Sequence, residues 1–162
     1  MTKQETYDLL RAEGIAFEIT EHAAVYDMAG CAALALPYPE DDAKNLLVRD
    51  DKKRSYYLIT VRGDKRVDLK AFRAAHGTRP LSFASAEDLL ALLGLTPGSV
   101  TPLGLLHDTA HRVQLYLDES FLQPPGRIGV HPNDNTATVW LRTEDLIALL
   151  RARGTTVTTT AL

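Results

Sequence analysis

The sequence predicts an α+β fold: a mixed, mostly antiparallel sheet of about six strands, flanked by about five helices. Three observations carry this expectation. Short runs rich in apolar, β-branched and aromatic residues recur six times, several with the period-two alternation of a half-buried strand. Two neighbouring pairs of these runs are joined by short polar links, which makes their pairing antiparallel. Segments with helical spacing do not alternate strictly with the strands, as a doubly wound parallel sheet would require.

The elements follow in chain order. Thr2-Lys-Gln-Glu5 fits a capping box, Tyr7, Leu9 and Leu10 form an apolar stripe, and Gly14 closes the helix. Residues 15–20 read as a strand. Asp27 caps a short apolar helix from Met28 to Leu36, which Pro37 and Pro39 stop. Residues 44–49 and 55–61 form a hairpin across Asp50-Asp-Lys-Lys-Arg54. Asp68 caps a helix that carries Leu69, Phe72 and Ala75 and ends at Gly77. Ser85-Ala-Glu-Asp88 opens another, through Leu89, Leu90, Leu92 and Leu93 to Gly94. Residues 113–117 are a strand, and residues 143–154 a final capped helix. The last eight residues are mostly threonine and are expected to be frayed or weakly paired.

At 162 residues the chain is expected to be one domain, residues 1–162, with no repeat or interior linker. No apolar run approaches the ~20 residues that span a bilayer, and the N-terminus lacks a signal-peptide core, so a cytoplasmic protein is expected. The single cysteine, Cys31, excludes an internal disulfide and a multi-cysteine zinc site, and it reads as a small buried thiol. The net charge of −3 excludes a general nucleic-acid coater. The charge is unevenly placed, however. Residues 44–79 hold eleven Lys/Arg and four Asp/Glu, whereas the rest holds seven and seventeen. A basic face on an acidic protein suits one short stretch of phosphate backbone, including Lys52, Lys53, Arg54, Lys65 and Arg66.

Neither a Gly-x-Gly-x-x-Gly nor a phosphate-binding loop is present. His107 and His111 have i, i+4 spacing but lead straight into a strand and lack the zinc-protease glutamate, so a polar loop is expected and no metal. Lys44 opens an apolar strand, where an ammonium reaches a phosphate or carbonyl oxygen. An ion pair with Asp41 or Asp42 is the competing reading. The richest stretch is Arg127-Ile-Gly-Val-His-Pro-Asn-Asp-Asn-Thr-Ala-Thr-Val-Trp140: strand, tight loop, strand. Pro132 breaks the ladder, and Asn133, Asp134 and Asn135 bond backbone groups of the turn.

Four pieces occur in order: Lys44-Asn45-Leu-Leu-Val, Ser55-Tyr-Tyr-Leu-Ile-Thr, Thr101-Pro-Leu-Gly-Leu105 and Gly129-Val-His-Pro-Asn-Asp-Asn-Thr-Ala-Thr138. Together they resemble the YbaK/prolyl-tRNA-synthetase editing-domain family across nearly the whole chain, most of all its free-standing ProX/PrdX branch. Many relatives carry two apolar residues after His-Pro where this chain has Asn133-Asp134, a variant that suits that branch. The resemblance implies an α+β fold, a pocket for a tRNA 3′ end, and hydrolysis of an aminoacyl ester without metal or cofactor. The substrate it implies is mischarged tRNA(Pro), most of all Ala-tRNA(Pro), with prolyl-tRNA synthetase as a second partner and neither DNA nor membrane involved. The same fold acting on Cys-tRNA(Pro) or another misacylated tRNA is the nearest alternative. A non-catalytic aminoacyl-tRNA or synthetase-binding module is the alternative from another class.

On that resemblance Lys44, Gly129 and His131 are the catalytic candidates. Asn45, Met28, Leu46, Thr101, Pro102, Gly104, Pro132 and Asn135 are the substrate-binding candidates. An aminoacyl ester is already activated, so a placed water and oxyanion stabilisation suffice. Backbone N–H groups around Gly129 to His131 are expected to cradle the oxyanion.

Overall fold

The computed structural model describes residues 1–24 and 34–162. Asp27, Met28 and Cys31, with most of the helix expected over residues 28–36, lie outside them. The described residues form four helices and eight strands. In order these are α1 (Lys3–Ala12), β1 (Phe17–Glu21), β2 (Ala43–Asp50), β3 (Tyr56–Arg62), α2 (Leu69–His76) and β4 (Leu81–Phe83). There follow α3 (Ala86–Leu93), β5 (Val113–Asp118), β6 (Arg127–Val130), β7 (Ala137–Arg142), α4 (Thr143–Ala152) and β8 (Val157–Thr160).

Three helices start where the sequence places their caps. The Thr2 hydroxyl accepts from the Glu5 N–H while the Glu5 carboxylate accepts from the Thr2 N–H, both at 3.1 Å. Ser85 and Asp88 close the same box on α3. Asp68 caps α2 through the N–H groups of Lys70 and Ala71, and Gly77 ends it at φ +65°, a conformation that penalises any Cβ. α4 departs from expectation, because no side chain caps its first turn. The buried Thr143 hydroxyl instead donates to the Phe121 carbonyl (2.8 Å), tying the helix start to the turn after β5.

Two sheets form. β1-β7-β6 is antiparallel throughout. β4-β2-β3-β5-β8 is antiparallel across β4, β2 and β3 and parallel across β3, β5 and β8. The mixed, mostly antiparallel character is as expected. The C-terminal segment is not frayed: residues 157–160 pair with Leu115 to Asp118, anchored by buried Val157. Threonine is β-branched and fits a pleated edge without the apolar alternation that marks an inner strand. The three-residue β4 is too short to carry a pattern.

The central β2–β3 pair is covered on both faces. Leu47, Tyr56 and Leu58 enter the main core with Leu115, Leu117, Leu146 and Leu150. Val48, Tyr57, Ile59 and Val61 pack on the other side against Phe72 of α2. Burial on both faces explains why residues 56–61 are apolar almost without interruption. No helix among the described residues is long and apolar enough to cross a membrane.

Candidate active site

The two sheets meet at one parallel bridge, Asp42 to Gly129. From there β2 and β6 run in the same direction; Lys44 stands two residues beyond the bridge on β2, and His131 two residues beyond it, just past the end of β6. On this edge β2 next meets a strand only at Val48–Asp50, where β4 pairs with it and the Ala84 N–H reaches the Leu47 carbonyl (2.9 Å). Among the described strands none pairs with residues 43–46 on that side. The edge of β2 that carries Lys44 is therefore open among the described strands, beside the point where the chain leaves β6 for the His131 loop.

Gly129 is glycine for a packing reason. A Cβ there would stand 2.2 Å from the Trp140 ring, which is buried and anchored by its Nε1–H to the Thr20 hydroxyl (2.9 Å). Asp42, its bridge partner, accepts from the Gly63 N–H (3.0 Å) through its own carbonyl. The bridge sets Gly129 against Asp42 at the start of the backbone expected to cradle an oxyanion. Val130 pairs with Val139, so the first N–H beyond the strand pairing belongs to His131.

The His131 ring is fixed by chemistry as well as packing. Its Nδ1 lies 2.9 Å from the Ala137 carbonyl. A carbonyl only accepts, so Nδ1 carries the proton and Nε2 keeps its lone pair. Burial pushes the imidazole pKa below its ordinary value; the carbonyl bond opposes this, and the neighbouring His22 adds to it. The His22 ring lies 6.0 Å from the His131 ring, with its Nε2 on the Thr138 hydroxyl (2.9 Å). Both imidazoles are thus fastened to the first two residues of β7. The loop is held from behind as well: the Thr101 hydroxyl donates to the His131 carbonyl (2.6 Å), and Asn133, at φ +62°, donates to the Thr6 hydroxyl (2.9 Å). Asp134 accepts from the hydroxyl and N–H of Thr136, bonds that hold its carboxyl below the usual range. Pro132 is buried and Asn135 half-buried in the same loop.

On the β2 side, the Lys44 ammonium donates to the Lys65 carbonyl (2.5 Å). Asn45 accepts from the Thr60 hydroxyl (2.6 Å), and Leu46 is half-buried on the same side of the strand as Lys44. The ion pair weighed for Lys44 is not formed. Asp41 is taken by Arg62 (3.3 Å) and Arg127 (3.4 Å), and the Arg127 guanidinium also stacks 3.7 Å from the centre of the Tyr38 ring. Asp42 lines a cavity of about 690 Å³ with Arg62, Gly63 and Asp64, and burial pushes its carboxyl up to about 6.

Other expected site residues fall further off. Thr101, Pro102 and Gly104 are buried behind the His131 loop, and a Cβ on Gly104 would stand 2.6 Å from Leu95 Cδ1, so this turn supports the site by packing. Lys65 and Arg66 lie at the Lys44 end of the hairpin. Lys52, Lys53 and Arg54 sit at its other end, roughly 20 Å away by strand rise. His107 lies against Gly94 and His111 against Gly154, at the ends of two different helices. No group of three or more metal-ligating side chains occurs among the described residues. Sequence reasoning missed His22 and the separate character of Asp42. His22 ends a strand with no spacing to mark it, and Asp42 reads from sequence as one of three interchangeable acids.

A bridged pair of sheets, with a lysine and a fixed imidazole each two residues beyond the bridge, forms the candidate site of this α+β scaffold. The family of the aminoacyl-tRNA editing domain matches residues 22–149, from His22 into α4. The chain is 38% identical to the prolyl-tRNA editing protein ProX of Acetoanaerobium sticklandii, over 88% of this chain and 86% of that one. It is 30% identical to prolyl-tRNA synthetase associated domain-containing protein 1 of Mus musculus, over 94% and 91%. A solved structure described as a candidate trans-editing enzyme for prolyl tRNA synthetase shares the fold, with a TM-score of 0.70 and 23% identity over 99% of this chain and 96% of that one. This chain belongs to the aminoacyl-tRNA editing domain family.

Proposed function

We propose that the protein is a trans-editing aminoacyl-tRNA deacylase that hydrolyses mischarged tRNA(Pro) and removes alanine. The observation that carries this reading is the 38% identity to a prolyl-tRNA editing protein across nearly the full length of both chains. The site suits the chemistry. Alanine is smaller than proline, and one missing methylene is worth only about 1–3 kcal/mol of discrimination, so a synthetase needs a second, hydrolytic sieve.

Lys44 leaves the Lys65 carbonyl to hold the terminal nucleotide or the ester carbonyl. The His131 Nε2 lone pair accepts from the attacking water or from the adjacent ribose hydroxyl, which places the nucleophile. The His131 N–H, the first beyond the strand pairing, faces the developing oxyanion. Asn45 and Asn135 orient the site, and Leu46 and Pro132 wall it. The acceptor end enters past Lys65 and Arg66, and the tip bearing Lys52, Lys53 and Arg54 meets phosphates further along, so affinity falls as salt rises. Prolyl-tRNA synthetase is the partner that supplies the mischarged tRNA.

The test is deacylation of Ala-, Cys-, Ser- and Pro-tRNA(Pro) by wild type and Lys44→Ala. Rapid loss of Ala-tRNA(Pro), with Pro-tRNA(Pro) spared and a fall of about 100-fold or more in the folded variant, is the expected result. Cleavage of another ester instead would change the amino acid. Full activity in Lys44→Ala would remove that residue from the mechanism.

A further inference from the structure

Asp42 is a titratable group that the steps above do not use. Its backbone is extended (φ −68°, ψ 131°), so its side chain leaves the strand on the same side as Lys44, about 7 Å away along the chain. Its main chain is held on both edges, by the Gly63 N–H and by the bridge to Gly129. The position is therefore rigid relative to both halves of the site. The side chain lines the 690 Å³ cavity. Nearby cations are committed elsewhere: Arg62 to Asp41 and Ser120, Arg127 to Asp41, Lys44 to the Lys65 carbonyl and Lys65 to Asp118. Among the described residues no cation pairs with the Asp42 carboxylate, and burial raises its pKa against the opposing hydrogen bond from the Ala43 N–H. A desolvated carboxylate without a counter-ion works against folding, and such a group in a cavity awaits a charge from outside.

We propose that the Asp42 carboxylate receives the α-ammonium group of the aminoacyl ester. The proposal rests on the deacylase reading. An aminoacyl ester carries a primary ammonium on the carbon next to its scissile carbonyl. Holding that ammonium two residues before Lys44, at the bridge to β6, turns the carbonyl toward Lys44 and the His131 loop. The ligand class follows: esters with a free α-ammonium group, as distinct from N-acylated or peptidyl esters. This selection is by charge and is separate from the sieve that measures the side chain.

The experiment compares hydrolysis of Ala-tRNA(Pro) and N-acetyl-Ala-tRNA(Pro) by wild type, Asp42→Asn and Asp42→Ala, with melting temperatures alongside. Wild type is expected to prefer the free-amino ester by roughly 10-fold or more, the scale of a charge-assisted hydrogen bond. In both variants that preference collapses to within about twofold of unity, while the melting temperature at neutral pH does not fall. A wild type that cleaves both esters equally, or variants that keep the preference, would overturn the proposal. A wild type that cleaves neither ester would overturn the deacylase reading with it. A second readout needs no variant: alanine amide inhibits the wild-type enzyme and N-acetylalanine amide does not. Equal inhibition by the two would also overturn the assignment.

Discussion

The β2–β3 hairpin carries two consecutive aspartates at each end, and the two pairs are treated differently. At the tip, buried Asp50 accepts from the N–H groups of Lys52 (3.1 Å) and Arg54 (2.9 Å), and exposed Asp51 is gripped by Arg79. At the other end, buried Asp41 is gripped by two arginines, and Asp42 faces a cavity with no cation on it among the described residues. Arg79 holds the Asp51 carboxyl below its ordinary range, whereas burial lifts Asp42 to about 6. Three of the four charges are compensated by the fold. The fourth has no cation on it among the described residues, and it lies at the bridge between the sheets, two residues before Lys44.

The largest stability effect should come from the compensated, buried member of the site-end pair. Asp41→Asn leaves two guanidinium groups side by side, 26% and 31% exposed, without their common anion. Removing one partner from a buried pair is expected to cost about 2–3 kcal/mol here, because both cations keep some water. For a domain of this size that is a fall of roughly 5–10 °C in melting temperature, read by calorimetry. Asp50→Asn, its counterpart at the tip, still offers an amide oxygen to the two N–H groups and should lose less. A reversed order would mean that the arginine clasp does not hold the hairpin base.

The next effect has the opposite sign. Asp42 has a raised folded pKa, so between about 4 and 6 the folded state binds more protons than the unfolded state. Its contribution is favourable at low pH, is lost as pH rises through about 6, and is flat above that. Asp42→Asn should remove this slope and stabilise the protein at pH 7.5 by on the order of 1–2 kcal/mol, allowing for partial solvent exposure. His131 acts the other way: its lowered pKa makes stability fall as pH drops below about 6.5. Chemical denaturation of wild type and variant across pH 4–8 separates the two. A variant that is less stable than wild type at pH 7.5 would place Asp42 with the compensated acids.

This contrast also marks what the sequence could convey. Local signals were legible because their causes are local: the Thr2–Glu5 and Ser85–Asp88 boxes, Gly77 and Gly94 at left-handed helix ends, and the Asx turn at Asp134. The Lys44 and Gly129-Val-His131 motifs were legible as candidates, and the fold brings their two segments together at the Asp42–Gly129 bridge. The role of Gly129 was not legible, because the ring that excludes a Cβ belongs to Trp140, on the next strand. The strand over residues 157–160 was hidden by its threonines, and the α4 cap failed because the Thr143 hydroxyl was claimed by Phe121. The difference between Asp41 and Asp42 depends on arginines 21 and 86 residues away from Asp41, which no short-range pattern records.

The smallest effect should come from Asp51→Asn. Asp51 and Arg79 are both exposed, with side chains 40% and 55% accessible, although their geometry is good at 2.6 and 3.1 Å. The lowered Asp51 pKa means that its contribution is present above about pH 4 and lost as pH falls. Exposed pairs are worth little even when bidentate, because water already solvates both charges and ordering two long side chains opposes the gain. The variant should melt within about 1 °C of wild type at low salt, and the difference should vanish near 1 M salt, where the screening length is about 3 Å. A larger loss that survives salt would show that the tip pair braces β4 against β2 through Arg79. In that case the hairpin would depend on ion pairs at both ends, and the contrast between its two ends would rest on Asp42 alone.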